Sequence, residues 1–322
     1  MRKIILDCDP GHDDAFGILL ALKHLDVLGI TTIGGNCSLE NVSKNALKVL
    51  EVLDRTNIPV YKGHECPMVA PLVTAPQFHG ESGMDGPILP EPVIKCQDKH
   101  AVDFIVETVM STDDVTLIAT GPLTNIAAAI NREPQITDRV KEVSIMGGSV
   151  TFGNWTPAAE FNIFVDPEAA SRVFYSGIHV KMCGINLTRQ CLLTMEHVNE
   201  FKKIGNRAAG LAADLTEFFI DATEKNASLA GANMHDACAV AWIIDPNLIK
   251  GAPMHITVEL KGEFTRGMTV CDYRHLRGSN PQIDLHREPT MEWRGETPNA
   301  EAGLELDFEG FMDLLYSTLR SY

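Results

Sequence analysis

Apolar positions along the chain fall alternately into short continuous runs and into stretches at helical spacing, the two signatures of strands and amphipathic helices. Ile4-Ile5-Leu6 reads as a short strand and Ala15 to Leu22 as the helix behind it. Val27 to Gly35 and Val60-Tyr61 read as strands, with Val42 to Leu53 a helix between them. The alternation continues through helix Ala101 to Met110, strand Val115 to Ala119, helix Leu123 to Ile130 and strand Val143 to Met146. Helix Pro167 to Tyr175 and strand Val180 to Ile185 follow. From about Glu196 the pattern lengthens into helices, with Ala208 to Lys225 and Ala237 to Ile244 the clearest. Strands at Ile256 to Leu260 and Leu304 to Phe308 precede a final helix, and the polar, Arg-, Gly- and Pro-rich stretch 262–300 reads as an excursion from the core. Regular alternation of this kind predicts an α/β fold with a mostly parallel open sheet flanked by helices, related to the Rossmann architectures. Neither a repeat nor a linker interrupts it, so residues 1–322 are expected to form a single domain.

Composition narrows the partners. A chain of 322 residues, 45% hydrophobic and 22% charged, is that of an ordinary globule with a sizeable core. The formal charge of −16 argues against nucleic-acid backbones and anionic membranes as partners. No apolar run approaches the ~20 residues needed to span a bilayer. The N-terminus enters a strand directly, with no signal-peptide pattern. Eight scattered cysteines, none in a Cys-x-x-Cys pair, suit a reduced, cytoplasmic setting.

The chemistry is concentrated at the start. Asp7, Asp9, Asp13 and Asp14 fall in the run Leu-Asp-Cys-Asp-Pro-Gly-His-Asp-Asp. Side chains two apart in a strand share a face, so Asp7 and Asp9 point the same way. Pro10-Gly11 turns the chain, and Asp13 and Asp14 open the helix, where the dipole tolerates negative charge. Asp13 or Asp14 alone would be an ordinary helix start. Acids gathered at the carboxyl end of a strand repel one another, and a hard divalent cation is the usual remedy; oxygen ligands favour Ca²⁺ or Mg²⁺ over zinc. Further polar residues stand where the chain leaves other strands: Asn36, Thr120-Gly121 and Asn186. The loop Asn154 to Asn162 and the pair His235-Asp236 add to them. Singly, each reads as a turn former or cap; jointly they fit a pocket rimmed with acids and amides above one edge of a sheet.

Ile5-Leu6-Asp7-Cys8-Asp9-Pro10-Gly11-His12-Asp13-Asp14 resembles the signature of the inosine–uridine-preferring nucleoside hydrolases. Asn36, Thr120 to Ile126, Met146-Gly147-Gly148, Glu160-Phe161-Asn162, Asp166 to Ala170 and His235-Asp236 resemble further segments of that family, in its order. The resemblance covers about residues 3–275 and the C-terminal strand and helix. It implies a nucleoside hydrolase-like fold and hydrolysis of ribonucleosides to base and ribose, an activity suited to nucleoside salvage. Asp9, Asp14 and Asp236, with the Thr120 carbonyl, match the ligands of a Ca²⁺ ion. Asp9 also matches the base that takes a proton from the metal-bound water. Asp13, Asn36 and Asn162 match residues on the ribose hydroxyls, and Asn154 and Glu160 those on its 5′-hydroxyl. His235 matches a histidine placed near the base as candidate acid, His79 a second pocket histidine, and Asp7 a residue supporting this cluster. The other histidines are expected to be structural. The resemblance also implies a homodimer or homotetramer.

These residue types suit the reaction. Carboxylates stabilise the oxocarbenium-like charge that develops on ribose, and a cation orients and acidifies water. One departure concerns the base: the places where some pyrimidine-preferring relatives carry Gln and Tyr hold Thr223 and Ala227. Loop 70–86 and helix 208–225 are expected to close over the base, and the base preference stays open: uridine, cytidine, inosine or broad. Three other readings remain in view. A metal-dependent phosphohydrolase of the haloacid-dehalogenase type also opens with Asp-x-Asp, but Pro10-Gly11-His12 replaces its usual continuation. A His-Asp phosphohydrolase needs helical His ligands that no segment supplies. A non-catalytic nucleoside-binding protein would have lost a ligand or the base, and all of them are present.

Overall fold

The computed structural model describes residues 1–277 and 296–322. Eleven strands run in chain order as β1 (Lys3–Cys8), β2 (Asp26–Thr32), β3 (Val60–Lys62), β4 (Val115–Ala119), β5 (Glu142–Met146), β6 (Val180–Cys183), β7 (Leu192–Leu193), β8 (Ala232–Asn233), β9 (Ile249–Val258), β10 (Thr269–Asp272) and β11 (Ala300–Leu306). Nine of them form one sheet in the order β10-β9-β11-β6-β5-β4-β1-β2-β3, while β7 and β8 pair separately. Seven neighbouring strands, β11 to β3, are parallel, and β9 and β10 extend that sheet antiparallel.

The parallel strands are apolar on both faces because helices cover both. Ile4, Leu6 and Cys8 of β1 pack into the larger core, with the helices His12–His24, Arg207–Ala227, His235–Ile244 and Phe308–Arg320. Ile5, of opposite parity, packs into the second core, with the helices Ala101–Ser111, Thr124–Arg132 and Pro167–Phe174. Asp7 shares the parity of Ile5 and meets the helix Thr124–Arg132, whose Asn125 Nδ2 donates to it. Strand order 3-2-1-4 means that the chain reverses direction between β1 and β4. The loops leaving these two strands therefore diverge and open a crevice at the carboxyl ends of the sheet, where α/β proteins bind ligands. Asp9 follows β1 and Thr120 follows β4, at the two lips of that crevice.

Most predicted elements stand within a few residues of their expected ends, and three expectations change. The strand expected over Val180 to Ile185 stops at Cys183, and Ile185–Thr188 turns into a helical segment. The strand expected from Ile256 begins at Ile249 instead, running through Gly251 and Pro253. The 262–300 stretch is not wholly an excursion: Thr269–Asp272 is β10, and Thr269 is buried with its hydroxyl donating to the Ser149 carbonyl at 2.6 Å. The rest of that expectation, residues 278–295, lies outside the described residues.

Candidate active site

Asp9 leaves β1 between the loops that follow β2 and β4. The Asn36 main-chain N–H donates to its Oδ2 at 2.6 Å, and Asn36 Nδ2 to its carbonyl at 3.2 Å. Gly35 and Gly121 flank the carboxylate so closely that a Cβ at Gly35 would lie 2.0 Å from Oδ2 and one at Gly121 2.5 Å from Oδ1. Oδ1 is buried and has no hydrogen-bond partner among the described residues. One turn on, Asp14 accepts from the Gly11 N–H at 2.9 Å and from the Thr120 hydroxyl at 2.7 Å. Asp13, Asp14 and Asp236 each present an oxygen within 4.8 Å of the others. Asp236 reaches this point from the first turn of the helix His235–Ile244.

All four carboxyls are buried. Burial, reinforced by neighbouring Asp charges, holds Asp9, Asp13 and Asp236 above the usual carboxylate range; burial also raises Asp14. Beneath them Asp7 accepts from the Thr31 hydroxyl at 2.6 Å and from Asn125 at 2.8 Å, yet burial pushes it up to about 7. A cluster of buried acids with an orphaned carboxylate oxygen and oxygen-only donors fits a hard divalent cation. The closest trio contains Asp13, expected on the ribose, in addition to Asp14 and Asp236. Asp9 adjoins it through Asn36, whose main-chain N–H donates to Asp9 and whose Nδ2 donates to Asp14 Oδ2 at 3.3 Å.

Above the acids lies a cavity of about 190 Å³, lined by every predicted site residue except Asp7, Asp9 and Asp14, which lie under its floor. One wall is built by the N-cap of the helix Phe161–Val165. Glu160 accepts from the N–H groups of Gly148, Asn162 and Ile163 at 2.9, 3.0 and 3.2 Å, and burial nevertheless pushes its carboxyl to about 7. Asn154 Oδ1 accepts from the Phe161 N–H at 2.9 Å, leaving its amide nitrogen for other partners. Asn162 Nδ2 donates to the Thr120 carbonyl at 2.8 Å and to the Met146 carbonyl at 3.0 Å. Asn186 is no part of the lining; it braces the Val150 N–H and the Gly303 carbonyl.

The far end of the cavity is aromatic, with Phe78, Trp155, Phe161 and Phe219. Loop 70–86 and the helix Arg207–Ala227 both line it, through Ala75, Phe78, His79, Phe219, Thr223 and Ala227. Thr223 contributes no polar group there, because its hydroxyl faces the carbonyls of Phe219, Ile220 and Gly231.

His12, expected to be structural, is paired with His79. Their Nδ1 atoms are 3.1 Å apart, while His12 Nε2 lies 2.7 Å from the Asp85 carbonyl. A carbonyl only accepts, so His12 carries its proton on Nε2. In the neutral pair His12 Nδ1 then accepts from His79, which leaves His79 Nε2 an acceptor. Burial holds both rings below the usual imidazole range, His12 near 4. His235 Nδ1 lies 2.6 Å from the Thr188 hydroxyl, and burial brings it also to about 4. Arg189, which the sequence did not single out, also lines the cavity. Its one sequence signal was Asn186, a polar residue at the strand end three places earlier.

The profile of the family described as inosine-uridine preferring nucleoside hydrolase matches residues 4–313. The chain belongs to that family. The pyrimidine-specific ribonucleoside hydrolase RihA of Escherichia coli K12 is 42% identical over 323 residues, covering 99% of this chain and 98% of the relative. A purine-preferring ribonucleoside hydrolase from Gardnerella vaginalis superposes with a TM-score of 0.88 at 32% identity, covering 99% and 98% of the two chains. A plant nucleoside hydrolase does so with a TM-score of 0.87 at 30% identity, covering 100% and 99%. The protein is therefore a nucleoside hydrolase, and the phosphohydrolase readings fall away. Its acid cluster and cavity occupy the switch-point crevice of the nucleoside hydrolase fold. No helix among its described residues is long and apolar enough to cross a membrane.

Proposed function

We propose that this nucleoside hydrolase cleaves the N-glycosidic bond of ribonucleosides in a Ca²⁺-dependent reaction, with pyrimidine ribonucleosides as its first substrates. The observation that carries the reading is the floor of the cavity: buried Asp13, Asp14 and Asp236 converge there, beside an Asp9 oxygen without a partner. The pyrimidine preference is supported by the 42% identity to a pyrimidine-specific relative. Asp9, Asp14, Asp236 and the Thr120 carbonyl would hold the ion. When bound, it supplies a Lewis acid that orients water and lowers its pKa.

The residues of the chain supply the rest. Asp9 Oδ1, free and aimed between the strand-end loops, accepts a proton from the attacking water. Asp13, Asn36 and Asn162 bind the ribose hydroxyls, and the Asn154 amide and Glu160 hold the 5′-hydroxyl. The negative floor stabilises the ribosyl charge where it develops. The glycosidic C1′–N bond breaks with its electron pair on the base, and the water oxygen bonds C1′. Closure by Phe78, Phe219 and Trp155 keeps bulk water from the reacting carbon. The nine-stranded sheet supports a chain that works as one domain, and the family resemblance supports a homo-oligomer. Nucleoside salvage in the cytoplasm is the matching role.

Reducing-sugar release from uridine, cytidine, inosine, 2′-deoxyuridine and a phosphate monoester tests the proposal. The expected result is ribose from the ribonucleosides, fastest from uridine or cytidine, abolished by a chelator and restored by Ca²⁺. Ribose release unaffected by chelation would overturn the cation. A purine preference would overturn the substrate class, and tight binding without release would leave a nucleoside-binding protein.

A further inference from the structure

The cavity is lined by charged groups of both signs. Its floor carries Asp13 and Asp236 over Asp9 and Asp14, whereas among the described residues lining it Arg189 is the one Lys or Arg. Arg189 follows the helical segment Ile185–Thr188 at the end of β6, and its main chain is tied to β8 by Asn233 Nδ2 donating to its carbonyl at 3.0 Å. Its guanidinium lies over the Phe152 ring, 4.6 Å from the centroid. No carboxylate among the described residues lies within ion-pair distance of it, so its charge is uncommitted. The residue before it, Thr188, holds His235, and the Arg189 charge acts on that ring. Arg189 thus stands on the His235 side of the cavity, with an aromatic ring limiting the positions of its planar fork.

We infer that Arg189 is the residue that stabilises the departing base. The inference rests on the hydrolase reading above and adds a leaving-group partner to it. When the C1′–N bond breaks, the electron pair leaves with the base, and the negative charge spreads over its ring nitrogens and exocyclic oxygens. A guanidinium offers that charge N–H donors without having to give up a proton. The anion is then protonated by solvent after release. Positive charge developing on ribose faces the acids and negative charge developing on the base faces Arg189, so the dipole of the transition state lies along the cavity's own field. The arrangement also suits a base with exocyclic carbonyl oxygens over one that presents only amino groups at that edge.

The test compares leaving groups. Wild-type enzyme, Arg189→Gln and Arg189→Lys are loaded with Ca²⁺ and assayed on uridine and on 4-nitrophenyl β-D-ribofuranoside, whose nitrophenolate needs little stabilisation. The expected result is a fall in kcat on uridine on the order of 10²-fold in Arg189→Gln, the size found for removing one charge-stabilising donor. Turnover of the nitrophenyl riboside should stay within a few-fold of wild type, and Arg189→Lys should recover part of the loss on uridine. Equal losses on both substrates, or a rise in KM alone with kcat on uridine unchanged, would overturn the role. The nitrophenyl substrate also reports folding, since a misfolded variant loses both activities while its circular dichroism departs from wild type. Failure of the underlying hydrolase reading looks different: the wild type itself would then release ribose from neither substrate.

Discussion

The Asp9 carboxylate is positioned chiefly by backbone. One oxygen takes the Asn36 N–H, and two glycines close on the carboxylate, leaving the other oxygen free within a buried space. Replacing Asp9 with Asn keeps the shape and removes the proton acceptor. The expected outcome is a loss of several orders of magnitude in kcat with a much smaller change in KM, read by steady-state kinetics on uridine with Ca²⁺ present. Near-wild-type turnover would move the base elsewhere. Gly35→Ala tests position alone: its Cβ would fall 2.0 Å from Asp9 Oδ2 and 2.8 Å from Pro122 Cδ, so the carboxylate must swing away. Displacement of about 1 Å costs roughly 10²-fold in rate, and kcat should fall by that order while the melting temperature shifts little. At this scale the acids and amides were legible because the motif packs them within a few residues. His12 and Arg189 were not, since a histidine beside two aspartates and an arginine after a threonine carry no local signal of their partners.

Element by element, the sheet explains why the motif works. Asn125, in the second position of the helix Thr124–Arg132, joins three strand ends. Its Nδ2 donates to Asp7 Oδ1 at 2.8 Å and to the Thr32 carbonyl at 3.0 Å, and its Oδ1 accepts from the His64 N–H at 3.0 Å. Asn125→Ala leaves the His64 N–H unpaired and takes one of two donors from Asp7, which keeps the Thr31 hydroxyl, and from the Thr32 carbonyl, which keeps the Gly63 N–H, and a buried polar group left unpaired costs about 1–3 kcal/mol. A loss of about 3 kcal/mol in unfolding free energy is expected, visible as a lower urea midpoint with an unchanged m-value. An unmoved midpoint would mean that the brace is not structural. Periodicity located most elements because their apolar faces are local properties. It shortened β9, because Gly251-Ala252-Pro253 reads as a turn. Pro253 lies in the half of β9 that pairs with β11, while β10 begins its pairing only at His255, so the missing N–H has no ladder partner to lose on that side.

For the molecule as a whole, the buried acids couple stability to pH and to the cation. Asp7 and Glu160, raised to about 7 by burial, bind a proton more tightly folded than unfolded. Their contribution is fully present below the unfolded values of about 4 and is lost as pH rises towards 7. Asp9, Asp14 and Asp236 are displaced in the same direction. Cation-free enzyme should therefore melt at a lower temperature at pH 8 than at pH 5, and Ca²⁺ should raise the melting temperature more at pH 8 than at pH 5. Scanning fluorimetry in chelator and in Ca²⁺ checks this; an equal Ca²⁺ shift at both values would detach the cation from the acids. By itself the sequence determined the α/β alternation, the acid motif and the family, because periodicity and short spacings are written locally. The tertiary structure alone decided that β4 lies beside β1, which opens the crevice and sets Thr120 against Asp14. It alone set His79 on His12 and brought Arg189 to the cavity beside His235. Those contacts join residues far apart in the chain, and only the packing of helices on both faces of one sheet selects them.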